Sequence, residues 1–415
     1  MASDVTSTAT AGQGPLHGYR VLDLSRILAG PWATQMLADY GAEVIKIERP
    51  GAGDDTRSWG PPFVKDTEGR DTADAAYFHC ANRGKQSLAV DITQPDGQAL
   101  IRELAKKADV VVENFKVGGL QKYGLDYDSL KTVNPKLVYC SITGFGQDGP
   151  YAERAGYDFM IQAMGGLMSV TGEPDGDPMK VGVAQVDVMT GLYACNAIQA
   201  ALLHRERHGE GQYIDLALLD VQVATLANQA MNYLASGQVP GRLGNAHPNI
   251  VPYQAFATSD GHIILAVGND SQFSKFCQLA GQPELAVNPD FASNRSRVEN
   301  RTALVPQIEQ LMRQQSSDWW LQTLAEKGVP CGPINNLDQV FEDPQVKHRK
   351  MQLQLPHPEA GLSPSVSNPV KFSATPVQQH TAPPTLGQHS DPLLQQLLKL
   401  SDQEIRELRQ RGIVS

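Results

Sequence analysis

The first half of the chain alternates between short, nearly continuous apolar runs and longer segments of mixed polarity. The runs "YRVLDLS" (19–25), "EVIKIER" (43–49), "QSLAVDI" (86–92), "DVVVENF" (109–115) and "LVYCSITG" (137–144) predict strands buried on both faces. Between them, "GPWATQMLADYGA" (30–42) predicts a helix, with proline in its first turn and glycine near its end. "QPDGQALIRELAKKA" (94–108) predicts a second. A strand–helix–strand unit of only about thirty residues has the size of a crossover between parallel strands. The pattern therefore predicts a large α/β domain over 16–225, doubly wound and Rossmann-like.

Helical patterns follow over 187–208 and 219–236. Residues 252–270 then alternate in polarity, with Asp260–Gly261 as a hairpin turn. Further helical stretches at about 271–280 and 301–326 complete a smaller α+β domain over 237–330. From Gly328 to Gly387 the chain is rich in proline, which predicts an extended segment lying on a surface. Residues 335–415 read as this linker and a return to the large domain. Ser401 and Glu404 are spaced as a capping box for a last helix. Residues 1–15 read as a disordered tail.

Composition adds mainly exclusions. The chain has 415 residues, 41% of them hydrophobic and 19% charged, with a net charge of −10 and no basic run. Nucleic acid and acidic membrane surfaces are therefore poor partners. No apolar run in the sequence approaches the ~20 residues of a membrane span. The N-terminus has neither the basic nor the apolar stretch of a leader, so a cytoplasmic protein is expected. Five scattered cysteines without C-x-x-C argue against disulfides and against zinc; no metal is expected. Glu48 stands where a dinucleotide fold has its ribose-binding acid, but the first turn is "DLSRILAGP" and lacks G-x-G-x-x-G, which argues against a nicotinamide dehydrogenase. "GFGQDG" (144–149) alone reads as a surface turn.

One carboxylate stands out. Asp187 heads a helix lined with Ala194, Ala197, Ala200 and Ala201, whose last turn carries His204, Arg205, Arg207 and His208 before Gly209. As a structural residue Asp187 would be the N-cap. As a chemical one it would be a nucleophile, held ionised by the positive end of the helix. The two roles are compatible.

From about residue 16 to the C-terminus the chain resembles the class III CoA-transferases, the family that includes formyl-CoA transferase, carnitine CoA-transferase and α-methylacyl-CoA racemase. The resemblance is carried by "VLDLSRILAGPWATQMLADYGAEVIKIERPGAGDDTR", "ADVVVENFKVGGLQKYGL", "YCSITGFGQDGPYAERAGYD", "VGVAQVDVMTGLYA" and "KGVPCGPINN", in that order. It implies a homodimer of two interlocked subunits, no permanently bound cofactor, and a CoA thioester as substrate. It implies that Asp187 attacks the acyl-CoA, passing through an aspartyl anhydride and an aspartyl-CoA thioester. CoA would move from succinyl-CoA or a similar donor to a carboxylic acid, a dicarboxylate such as glutarate foremost, with itaconate, malate or an adipate-like acid as alternatives. The CoA contacts implied are Leu28, Ala29, Arg49, Val90, Asp91, Ile92, Thr93, Asn114, Phe115, Lys116, Lys122, Thr143, Gly144, Phe145 and Gly146. Formyl-CoA transferase has glutamine in place of Leu28, arginine in place of Lys122, lysine in place of Thr143 and tyrosine in place of Phe145. It also has a run of glycines where this chain has "GRLGNAHPN", so oxalate is not expected as the acceptor. Arg242, Asn245 and His247 on that loop are candidates for the acceptor's distal carboxylate, with Arg57 and Arg154 in reserve. Racemases of the family have "GHD" where this chain has "GYD". Tyr157, with an ordinary pKa near ~10, is a poor base at neutral pH, so transfer is expected rather than racemisation.

Overall fold

The computed structural model describes residues 14–378 and 381–415. The expected tail over 1–15 lies outside them, except for Gly14 and Pro15. The chain forms two compact units. The first comprises the chain up to Gly165 together with Gly182–Thr225 and Pro344–Ser415; the second comprises Gly166–Val181 and Leu226–Asp343. Residues 166–181, read from the sequence as part of the large domain, thus belong to the second unit.

The first unit is built on six parallel strands: β1 (Arg20–Asp23), β2 (Glu43–Glu48), β3 (Lys85–Ala89), β4 (Val110–Glu113), β5 (Val138–Thr143) and β6 (Tyr213–Ala217). Their order across the sheet is β3-β2-β1-β4-β5-β6. Alternate residues feed two separate cores, which is why the runs looked continuous. Leu22, Ile45 and Val111 face α2 (Pro95–Ala105) and the C-terminal helices; Val21, Val44 and Val110 face α1 (Ala29–Asp39). On the α1 face also lies α4 (Gln185–His208), preceded in the chain by the short α3 (Asp158–Met164). Gly191 of α4 touches α1 so closely that a Cβ would lie 2.8 Å from the Ala29 carbonyl oxygen. One expectation needs amending here: α4 is long and apolar enough, by length and composition, to cross a membrane. Val186, Ala194, Cys195, Ile198, Ala201 and Leu202 are buried in the α1-side core.

The helix read over 219–236 is two helices, α5 (Leu218–Ala224) and α6 (Ala227–Ser236). The Thr225 hydroxyl bonds back to the carbonyls of Val221 and Gln222, which closes the first one. In the second unit, β7 (Tyr253–Ala257) and β8 (His262–Ala266) form the expected antiparallel hairpin across Asp260–Gly261, and Cys331–Pro333 pairs beside β8. The stretch 301–326 is split into Arg301–Met312 and Ser317–Glu326, with Ser316 capping the second helix. The proline-rich stretch is more regular than expected. It includes a hairpin of Gln352–His357 with Gly361–Val366, in which each strand is an edge and so tolerates Pro356 and Pro364. The Ser401 capping box is present.

Candidate active site

Beyond the carboxyl ends of β1, β2, β4 and β5, the first unit has two clefts of about 180 Å³ each. Arg49, Val90, Asp91, Ile92 and Thr93 line one, with Arg26, Asp54 and Tyr123. Leu28, Ala29, Asn114, Lys116, Thr143, Gly144 and Asp187 line the other, with Ile27, Arg154 and Tyr157. Phe115 and Arg26 line both. Twelve of the fifteen CoA contacts implied by the sequence therefore lie on two adjoining cavities. Lys122 lies over the ring of Tyr123, 4.7 Å from its centroid, and so stands behind the first cleft. Phe145 and Gly146 line neither. Phe145 packs edge-on against Tyr151, and the Gly146 amide donates to Thr143 Oγ1.

Asp187 is not the cap of its helix. It sits in the first turn of α4, and the free amides of Val186 and Asp187 donate to Asp158 Oδ1 at 2.7 and 3.2 Å. The cap is thus borrowed from a residue 29 positions earlier. Asp158 is brought there by a crossing of loops: Gly144 and Gly156 meet backbone to backbone, and a Cβ on Gly156 would lie 2.3 Å from the Gly144 Cα. Asp187 keeps its own carboxylate free for the cleft. Its ionisation differs from the expectation. Burial, and secondarily the Asp158 charge, push its carboxyl up to about 7. The helix end does not hold it ionised, because Asp158 already neutralises that end.

Near the ends of β1 and β2 the carboxylates are in the opposite situation. Lys85 Nζ lies 2.9 Å from Asp23 Oδ2, and Lys46 Nζ 2.8 Å from Asp54 Oδ2, all fully buried. Burial pushes the Asp23 carboxyl up, but Lys85, Lys46, Ser25 and Thr34 outweigh it and bring it down to about 2. Glu48 accepts from Arg57, Ser87 Oγ and the Asp54 amide, so it is not free to hold a ribose. Arg57 is likewise spent, between Glu48 and Asp74. Arg154 has no carboxylate partner among the described residues; it lies over Tyr151, 4.6 Å from the ring centroid, and lines the Asp187 cleft.

In the second unit, Arg242 donates to the carbonyls of Glu173, Pro174 and Gly176. His247 Nδ1 accepts from the Asn249 amide, which places its proton on Nε2, and burial beside Arg301 lowers its pKa. Asn245 is exposed. All five cysteines are unpaired. Asp74, His79 and His357 bring donor atoms within 4.8 Å of one another. They suit a metal poorly: His357 Nδ1 accepts two backbone amides, which puts its proton on Nε2, and Arg57 already occupies Asp74.

Twin clefts at the strand ends, one containing an unpaired carboxylate, suit acyl transfer from a large anionic thioester. The chain belongs to CoA-transferase family III, whose model matches residues 16–390. It is 52% identical to the succinate–glutarate CoA-transferase of Agrobacterium fabrum, over 92% of this chain and 96% of that one. It is 45% identical to human succinyl-CoA:glutarate CoA-transferase, over 96% and 90%. Among solved structures it resembles a CAIB/BAIF family protein from Brucella suis, with 54% identity, a TM-score of 0.81, and coverage of 93% and 100%.

Sequence reasoning missed Asp158, Ile27, Asp54 and Arg26. In "GYD" the tyrosine carries the sequence signal, and nothing in the local sequence shows that Asp158 reaches another helix.

Proposed function

We propose that this enzyme moves CoA from succinyl-CoA to a dicarboxylic acid, glutarate foremost, with Asp187 as nucleophile. The observation that carries the reading is the Asp187 carboxylate at the mouth of α4, without an ion-pair partner among the described residues, in the cleft lined by the residues expected to hold CoA. The similarity to two glutarate CoA-transferases supports the choice of acids. Asp187 attacks the thioester carbonyl; the C–S bond breaks, CoA thiolate leaves, and an aspartyl–succinyl anhydride forms. The thiolate then attacks the aspartyl carbonyl of that anhydride and releases succinate. The acceptor carboxylate attacks the aspartyl-CoA thioester, the thiolate leaves again, and it returns to the acceptor's carbonyl to give the new acyl-CoA and free Asp187. A carboxyl near 7 is about half ionised at neutral pH and more nucleophilic than an ordinary one. The dry walls that raise it also protect both intermediates from water.

In this proposal Arg49, with Val90 to Thr93, Asn114 to Lys116 and Lys122, holds CoA, and Thr143 to Gly146 shapes the floor of the cleft. The first unit is read as doubly wound and Rossmann-like, which the strand order supports. A homodimer is supported by Leu192, Tyr193 and Leu203, which leave one side of α4 apolar and exposed. A cytoplasmic location completes the reading. Racemisation is not favoured, because Tyr157 replaces the expected histidine base. The 241–249 loop is read as binding a substrate carboxylate through His247 Nε2 and Asn245, while Arg242 braces the loop against the carbonyls of Glu173, Pro174 and Gly176. A second reading assigns that carboxylate to Arg154, because it lacks a carboxylate partner and lines the cleft of Asp187. Succinyl-CoA offered with a panel of mono- and dicarboxylic acids, read by mass, should give glutaryl-CoA fastest. No acyl-CoA product from any diacid would overturn the reading. Arg154→Gln should raise the KM of diacids about tenfold and spare monoacids if Arg154 is the donor; His247→Ala should do so if the loop is.

A further inference from the structure

The turn that joins β1 to α1 lies between the two clefts and is strained. Ile27, a β-branched residue, has φ +72°, in the left-handed region. No strand or helix ladder holds this turn; side chains do. The Ser25 amide donates to Asp23. The Asn114 side-chain amide accepts from Arg26 N at 2.9 Å and donates to Arg26 O at 2.7 Å. The Ile27 amide donates to both oxygens of Asp54, at 3.2 and 3.3 Å. Lys46 Nζ spans the turn, reaching Ser25 O at 2.9 Å and Asp54 at 2.8 Å. Asp54 is itself fixed by the hydrogen bond its backbone amide donates to Glu48 Oε2 and by accepting from Thr56. Backbone in a sparsely populated region persists only where its surroundings over-determine it, and it concentrates at reactive sites.

The consequence lies one and two residues on. Leu28 and Ala29 open α1 and line the Asp187 cleft, so the φ of Ile27 aims their backbone. We propose that Asp54, held by Lys46, is a positioning residue that clamps Ile27 in its left-handed conformation and thereby fixes the Leu28–Ala29 wall of the cleft against the reacting thioester. Neither residue touches Asp187. They act through the turn, from the side of the cleft that they line together with Arg49. The inference rests on Asp187 as nucleophile.

The test removes the clamp without stranding a buried charge, by the double substitution Asp54→Leu with Lys46→Met, because asparagine at 54 would still accept from the Ile27 amide. It is read on an enzyme already shown to transfer CoA, so failure of the clamp and failure of the nucleophile reading stay distinguishable. Freed from Asp54, Ile27 relaxes to negative φ, and kcat should fall about tenfold, with both KM values changed less than about threefold. Adding Ile27→Gly should then restore most of kcat, because glycine takes positive φ without penalty. An unchanged kcat in the double variant would overturn the proposal. So would a loss that Ile27→Gly does not restore, or a change confined to the KM of succinyl-CoA, which would make the pair a nucleotide contact instead.

Discussion

Two groups of carboxylates, one buried and one half-buried, lie on the α1 side of the same sheet and behave in opposite ways. At the ends of β1 and β2, each carboxylate faces a cation: Asp23 has Lys85, Asp54 has Lys46, and Glu48 has Arg57. Cations and hydrogen bonds outweigh burial there, and all three carboxyls are held below the ordinary range. At the mouth of α4, Asp187 has no ion-pair partner among the described residues; burial, and then the neighbouring Asp158 carboxylate, raise its carboxyl to about 7. Desolvation is common to both groups; the presence of a cation decides the sign. A carboxylate paired with a cation is held ionised, whereas one without such a partner is raised toward neutral pH.

The sharpest break of the comparison is at Asp187 itself. Asp187→Ala should lower kcat by about 10⁴-fold or more while the protein stays folded. It should also gain stability above pH 7. The sign follows from the raised carboxyl: between the ordinary 3.8 and about 7 the folded state binds the extra proton, so wild-type stability falls as pH rises through that window. The gain, on the order of 1 kcal/mol, should shrink as pH falls toward 3.8 and is read by thermal melts across pH. Lys85→Met should do the reverse. It leaves Asp23 short of its cation and should cost about 3–5 kcal/mol in denaturant unfolding. A smaller effect sharpens the same point. With Asp187 as the proposed nucleophile, wild-type kcat/KM should fall with a single limb as pH drops below about 7, where its carboxylate is protonated. Asp158→Asn removes the neighbouring charge and keeps an acceptor for the helix amides, so the limb should move to lower pH.

Much of this was legible in the sequence. The five strands of the first half could be read because both sheet faces are buried and Val, Ile and Leu recur on both of them. Asp187 could be read because it begins a long helix of small residues. Its ionisation could not, because that depends on Asp158, which the crossing of Gly144 and Gly156 brings from another helix. Arg57 and Glu48 looked available for ligands as single residues; only the fold shows them bound to each other. The hairpin at 352–366 was hidden by prolines, which a two-stranded ribbon tolerates on its open edges.

The central claim is that the Asp187 carboxylate makes the covalent bond. Incubation of the enzyme with succinyl-CoA and no acceptor, followed by digestion and mass spectrometry, tests it most directly. The account predicts CoA joined as a thioester to the peptide that contains Asp187, discharged when glutarate is added. CoA attached to any other residue, or full turnover with no adduct on that peptide, would contradict it.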